Sequence, residues 1–183
     1  MAILRSLPLA LKTKMPAFSL NNPEGIEYKS EKLIGKKGLL IVFTCNHCPY
    51  AQAVWERVID IAGQAKKIGI NTVAINPNIH PDYPEDSSKG MKKLIKKLGI
   101  KFPYLVDSTQ EVAKSYNAQC TPDIYLLDKK GSLFYHGRID DNWQNPEKVK
   151  RRELLSAINS LANDLDSPKE QIPSMGCSIK WRI

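Results

Sequence analysis

The stretch Gly38-Leu39-Leu40-Ile41-Val42-Phe43-Thr44-Cys45-Asn46-His47-Cys48-Pro49-Tyr50 sets the frame for the whole chain. Its opening residues, from Gly38 to Phe43, are an unbroken apolar run rich in β-formers, which predicts a central strand buried on both faces. From Tyr50 the period changes. Ala51, Val54, Trp55, Val58, Ile59, Ile61 and Ala62 recur at three- and four-residue steps and predict a helix from Tyr50 to Ile68. A Cys-x-x-Cys therefore falls at a strand-to-helix junction. The unpaired N–H groups and the dipole of a helix start favour negative charge, so this reading puts a thiolate at Cys45 and sets Cys48 one turn into the helix. A thiolate beside a second thiol suits thiol–disulfide exchange, with Cys45 attacking and Cys48 resolving.

Other elements follow outward from this junction. Pro16 to Leu20 alternates apolar and polar, and Asn21-Asn22-Pro23-Glu24-Gly25 supplies turn chemistry, so a hairpin-like start is expected. Asn71 to Asn76 is a second buried-type strand, and Pro77 to Asp86, with three prolines, reads as a loop. Met91, Leu94, Ile95 and Leu98 keep helical spacing up to Gly99. Phe102 to Asp107 is a short extended segment and Thr109 to Tyr116 a short helix. Ile124 to Asp128, the turn Lys129-Lys130-Gly131, and Leu133 to Arg138 form a hairpin signal. Pro146 to Asn163 reads as one last helix, with Val149, Leu154, Leu155, Ile158 and Leu161 on one side. This order predicts an α/β fold, a mixed central sheet flanked by helices on both faces, and it resembles the layout of thioredoxin. Residues 1–165 are expected to form the domain and 166–183 a tail packed on it.

Composition narrows the possible functions. A chain of 183 residues, 42% hydrophobic and 25% charged, can bury a core without staples. Its formal net charge is +8, with Lys89, Lys92, Lys93, Lys96 and Lys97 concentrated on the face of one helix opposite its apolar stripe. That pattern reads as a solvated helix surface, the alternative being electrostatic attraction to an acidic partner or to nucleic acid, and nucleic acid is not the expected partner. No apolar run approaches the span of a bilayer and no export signal is evident, so no membrane partner and a cytoplasmic location are expected. No cofactor is called for. Four cysteines in such a chain are not a secreted disulfide framework.

A half zinc site or two inert thiols are the competing readings of the dithiol. Zinc would want a second ligand pair at similar spacing, and Cys120 and Cys177 are singletons, so no metal is expected. His47 either adds charge or a hydrogen bond near the Cys45 sulfur or is an exposed loop histidine. Cys120-Thr121-Pro122-Asp123 is the second constellation. Its proline opens a strand just before the hairpin, where thioredoxin-like folds keep a cis-proline facing the dithiol. Thr121 and Pro122 would then present backbone to an extended substrate, with Cys120 close by as a third redox thiol or a small buried hydrophobe. Cys177 is either a resolving thiol on the tail or unused. Asp123 is either a proton acceptor or a plain strand-end carboxylate. The loop Asp140-Asp141-Asn142-Trp143 contacts substrate or a second subunit, or simply connects.

The segments Met15-Pro16-Ala17-Phe18-Ser19-Leu20, Phe43 to Tyr50, Cys120-Thr121-Pro122-Asp123 and Gly176-Cys177-Ser178-Ile179-Lys180-Trp181 together resemble the redoxin superfamily, the AhpC/TSA group, in its peroxiredoxin-like thioredoxin-domain branch. The resemblance covers nearly the whole chain. It implies either a disulfide oxidoreductase or a thiol peroxidase. Peroxiredoxins place a Thr three residues before the peroxidatic Cys and an Arg later that polarises the peroxide. Here Thr44 is adjacent to Cys45 and four residues before Cys48, Thr121-Pro122 occupies the expected arginine site, and Arg138 is the nearest downstream arginine. The dithiol reading therefore leads, with Thr44, Cys45, His47 and Cys48 as the catalytic set. Partners would be a disulfide-containing protein or small thiol and an electron-donating thiol reductant, acting on a monomer or homodimer. A non-catalytic thioredoxin-fold binding or redox-sensing module is a third reading.

Overall fold

The computed structural model describes residues 2–182. In chain order its elements are β1 (Ile3–Arg5), β2 (Ser19–Asn21), β3 (Glu27–Lys29), α1 (Ser30–Leu33), β4 (Gly38–Phe43), α2 (Pro49–Lys67) and β5 (Ile70–Asn76). There follow α3 (Ser88–Leu98), β6 (Tyr104–Val106), α4 (Glu111–Ser115), β7 (Cys120–Thr121), β8 (Asp123–Asp128), β9 (Leu133–His136), α5 (Glu153–Ala162) and β10 (Met175–Ser178).

The apolar run 38–43 becomes the wholly buried strand β4 at the middle of a seven-stranded mixed sheet ordered β3-β2-β6-β5-β4-β8-β9. It pairs in parallel with β5, from Gly38↔Ile70 to Phe43↔Ile75, and antiparallel with β8, from Gly38↔Asp128 to Phe43↔Asp123. Strand alternation sends Leu40 and Val42 to one face and Leu39, Ile41 and Phe43 to the other. On the first face they pack with Val54, Val58, Ile61 and Ala65 of α2 and with Leu154, Ala157 and Ile158 of α5. On the second they meet Met15, Phe18, Tyr116 and Tyr125. Burying each such aliphatic side chain contributes about 1.5–3 kcal/mol relative to exposure.

Helix α3 runs as its spacing predicts. Ser87 caps it by accepting from Gly90 N–H at 3.2 Å, and Gly99 ends it in the left-handed region at φ 64°, where a side chain would be strained. All five of its clustered lysines are exposed. Two expectations are corrected. The helix expected over 146–163 is broken into a single 3-10 turn at Pro146–Lys148 and α5. The reason is tertiary: Leu154 N–H donates to Ile139 O and Asp141 N–H to Arg151 O, so the chain at 149–152 is tied to a neighbouring loop. Val149 consequently lies outside any helix. The ends of the chain also carry strands that periodicity does not announce. β10 pairs antiparallel with both β1 and β7, making a separate three-stranded sheet. No helix among the described residues is long and apolar enough to cross a membrane.

Candidate active site

The two cysteines stand where β4 ends. Pro49 takes the first helical position of α2, its missing N–H costing nothing there, so Cys48 is the helix N-cap with extended backbone (φ −75°, ψ 123°). This corrects the expected placement: the second cysteine, not the first, sits at the helix start, and it lies before the helix rather than a turn inside it. Both residues are 0% exposed.

Their environments differ. Cys45 Sγ lies 3.3 Å from the Thr121 hydroxyl, and Cys48 Sγ, when protonated, donates to the Thr121 carbonyl at 3.1 Å. Burial pushes the Cys45 thiol well up, and the Cys48 sulfur beside it and the Asp86 charge add to the rise against the Thr121 hydroxyl. The Cys48 thiol is drawn down to about 4, first by the Cys45 thiol as hydrogen-bonding neighbour and then by the Cys177 thiol and the backbone N–H groups of Ala51 and Cys177, against its own burial. One carbonyl acceptor faces several donors at Cys48, so the pair holds its negative charge there.

The loop from Pro77 to Asp86 does more than connect. Asp86, fully buried, accepts from Asn46 N–H (2.6 Å) and Asn76 Nδ2 (2.9 Å) on one oxygen and pairs with His47 Nδ1 through the other. His47 is stacked on Tyr83, with ring centroids 4.0 Å apart, so it is neither a free loop residue nor aimed at solvent. Asn46 fastens the same segment: its side chain donates to Glu85 O (2.6 Å) and accepts from Tyr104 OH (2.9 Å). Asp86, Asn46, Asn76 and Tyr104 were not singled out from sequence. The signal available was a buried-type strand ending in Asn76 followed by an acidic residue among prolines, and it is weak.

Thr44 extends the β4 pairing through its N–H to Ile75 O, and the hydroxyl that reaches Cys45 belongs to Thr121 instead. The Thr121–Pro122 bond is cis, as its position predicted. Cys120 is fully buried, its Sγ 3.6 Å from Pro122 O, and burial and the Asp123 charge raise its thiol well above the ordinary range. The thiol packed with the dithiol is Cys177, which shares an apolar cluster with Cys45, Cys48 and Ala51. Asp123 turns to His136 Nε2 (3.0 Å) and Tyr125 OH (3.3 Å), a partner set distinct from the dithiol's.

On the other flank, Arg57 of α2 gathers Asp140 Oδ2 (2.5 Å), Asn142 O (2.9 Å) and Trp143 O (2.6 Å), holding Trp143 against Tyr50 at a centroid separation of 4.0 Å. A cavity of about 180 Å³ opens beside Pro122, lined by Arg5, Arg138, Asp140, Trp143 and Met175 among others. Arg138 lies just beyond β9, not on it, and its guanidinium is taken by Glu153 at 2.6 Å. Cys45, His47 and Asp86 bring possible ligand atoms within 4.8 Å of one another. Both Asp86 oxygens already serve hydrogen-bond donors, so the trio reads as a thiol beside a histidine–carboxylate pair.

A sequence model of the AhpC/TSA family matches residues 11–136. The chain is 23% identical over 125 residues to the thiol-disulfide oxidoreductase ResA of Geobacillus kaustophilus, a match covering 68% of this chain and 67% of that protein. Among solved structures it is similar to an uncharacterized conserved protein from Geobacillus kaustophilus, with a TM-score of 0.94 and 38% identity over 100% of this chain and 97% of that one. It is also similar to the peroxidoxin BcpB of Mycobacterium tuberculosis, with a TM-score of 0.65 and 12% identity over 82% of this chain and 96% of that one, a likeness of fold. Family, fold and relatives agree on a thioredoxin-fold oxidoreductase that handles thiols or disulfides.

Proposed function

This chain belongs to the AhpC/TSA family, and on that footing we propose that it works by exchange between the Cys45–Cys48 dithiol and a disulfide in a protein or small-thiol partner. The observation that carries this reading is Cys48 at the N-cap of α2, with its thiol drawn down to about 4 while Cys45 keeps its proton. The Cys48 thiolate attacks one sulfur of the partner disulfide, forming a mixed disulfide, and the other partner sulfur leaves as a thiolate. Cys45 then gives up its proton to the His47–Asp86 pair and attacks Cys48 Sγ, with the Thr121 hydroxyl stabilising the developing thiolate. The second partner thiolate leaves and takes the proton. The protein is left with a Cys45–Cys48 disulfide, which an electron-donating thiol reductant restores. This order of attack is the reverse of the one the motif alone suggests.

With β10 displaced from β7, Thr121 and Pro122 would present the partner's backbone with an edge beside the dithiol. A reducing, cytoplasmic setting, where thiols are kept reduced, would suit this exchange. Peroxide reduction is the lesser reading, because the hydroxyl at Cys45 comes from the pre-proline Thr121 and Arg138 is committed to Glu153.

The deciding experiment compares reduced protein against a peptide disulfide and against hydrogen peroxide, with Cys45→Ser and Cys48→Ser as controls. Fast disulfide reduction is expected in wild type, lost in Cys48→Ser and slowed in Cys45→Ser, which lacks the first resolving thiol. Faster consumption of peroxide than of disulfide, or disulfide turnover surviving in Cys48→Ser, overturns the reading.

A further inference from the structure

Both sulfurs of the dithiol are closed to solvent, and this chain's own strand β10 takes part in closing them, its Cys177 packing in one cluster with Cys45, Cys48 and Ala51. The strand lies antiparallel along β7, with Cys177 opposite Thr121 and Ser178 opposite Cys120, so it fills the backbone edge that an extended partner would need. The fit is close. A Cβ at Gly176 would stand 2.0 Å from Thr121 O, a distance no side chain tolerates. The tail is held on both sides of the strand: the Ser174 hydroxyl donates to Gly137 O (2.8 Å), Lys180 N–H to Asn78 Oδ1 (2.8 Å) and Arg182 N–H to Gln110 Oε1 (2.8 Å). This geometry delivers a third thiol, Cys177, into the cluster that holds the other two, within hydrogen-bonding reach of Cys48.

We propose that β10 is an internal substrate strand and that Cys177 exchanges into the Cys45–Cys48 disulfide, so that the oxidised protein carries a Cys48–Cys177 bond with Cys45 freed. This deepens the dithiol reading and rests on it. The exchange is balanced and needs no reagent beyond the partner disulfide that first oxidised the dithiol. Cys177 loses its proton and its sulfur attacks Cys48 Sγ. The Cys48–Cys177 bond forms, the Cys45–Cys48 bond breaks, and Cys45 leaves as a thiolate that takes up the proton. Oxidation prepares this step. In the reduced protein burial and then the Cys48 charge raise the Cys177 thiol to about 12; once Cys48 is in a disulfide that charge is gone and the Lys180 ammonium still favours the Cys177 thiolate.

Full-length protein and its variants would be reduced, treated with one equivalent of a cystine-bridged peptide, quenched by alkylation and mapped by mass without reduction. In wild type the Cys45–Cys48 and Cys48–Cys177 bonds are both expected. In Cys45→Ser, Cys177 should resolve the Cys48–peptide disulfide and give Cys48–Cys177. Gly176→Ala, combined with Cys45→Ser, should slow that step about a hundredfold by displacing the strand. If wild type forms Cys45–Cys48 but Cys45→Ser leaves Cys177 alkylated and Cys48 held by peptide, the third thiol has no redox part and the dithiol reading survives. An unchanged rate with Gly176→Ala overturns the internal-substrate placement. Absence of both the Cys45–Cys48 and the Cys48–Cys177 bond in wild type sinks both readings together.

Discussion

The two sheets of this protein are held by different physics and meet at one place, the residues from Cys120 to Asp123. In the seven-stranded sheet, β4 makes continuous ladders on both edges and both of its faces are sealed by apolar side chains. In the three-stranded sheet, β1 is exposed throughout, β10 meets β7 over two residue pairs, and side-chain and backbone hydrogen bonds fasten the tail. Hydrophobic burial is cooperative across a core, whereas a small polar-fastened sheet opens locally. The contrast separates stability from access: the large sheet fixes where the thiols are, and the small sheet governs what reaches them.

The most damaging way to break this division is at the core. Leu40→Ala, at a fully buried position between α2 and α5, should cost about 2–5 kcal/mol in urea unfolding of the reduced protein. Opening the small sheet alone should leave the core folded. Hydrogen exchange should report β10 amides opening at least about 2 kcal/mol below those of β4, and equal protection in the two strands would mean that the sheets open as one.

The seam between the sheets can be sharpened with pH. The Cys48 thiol is lowered from 9.0 to about 4, so the folded state binds fewer protons there than the unfolded chain between those values. Its contribution is whole above about pH 9, shrinks as pH falls and is gone below about pH 4. The stability of reduced wild type relative to Cys48→Ser should follow that course, with ultraviolet thiolate absorbance locating the folded midpoint. Cys45 and Cys177 are raised, so they act in the opposite sense, losing their contribution above pH 9. The smallest effect belongs to α3. Lys96→Glu should change unfolding by no more than about 0.5 kcal/mol and leave the exchange rate unaltered, since that lysine is solvated.

What could be read from sequence divides along the same line. β4, α2, α3, the β8–β9 hairpin and the cis peptide before Pro122 all follow from apolar period, turn residues or position in the chain order. The three-stranded sheet does not, because Ile3–Arg5 and Met175–Ser178 lack alternation and are defined by whom they pair with. Asp86 was hidden for a similar reason. Nothing local distinguishes it from Glu85, and only packing against Asn46, Asn76 and His47 makes it the carboxylate of the site. The placement of the helix dipole missed by three residues. Pro49 starts the helix so abruptly that the charge-favouring end falls at Cys48.

The pairing of Ile3 with Cys177 also bears on time. Chains are made from the amino end, and domains close as their parts emerge, whereas contacts between distant residues form late. Every strand of the seven-stranded sheet, the dithiol, the cis-proline and the Asp86 loop precede residue 140, but β10 follows them all. The nascent protein therefore passes through an interval in which the thiols are assembled but not yet covered by β10, the later-made strand that completes their cluster.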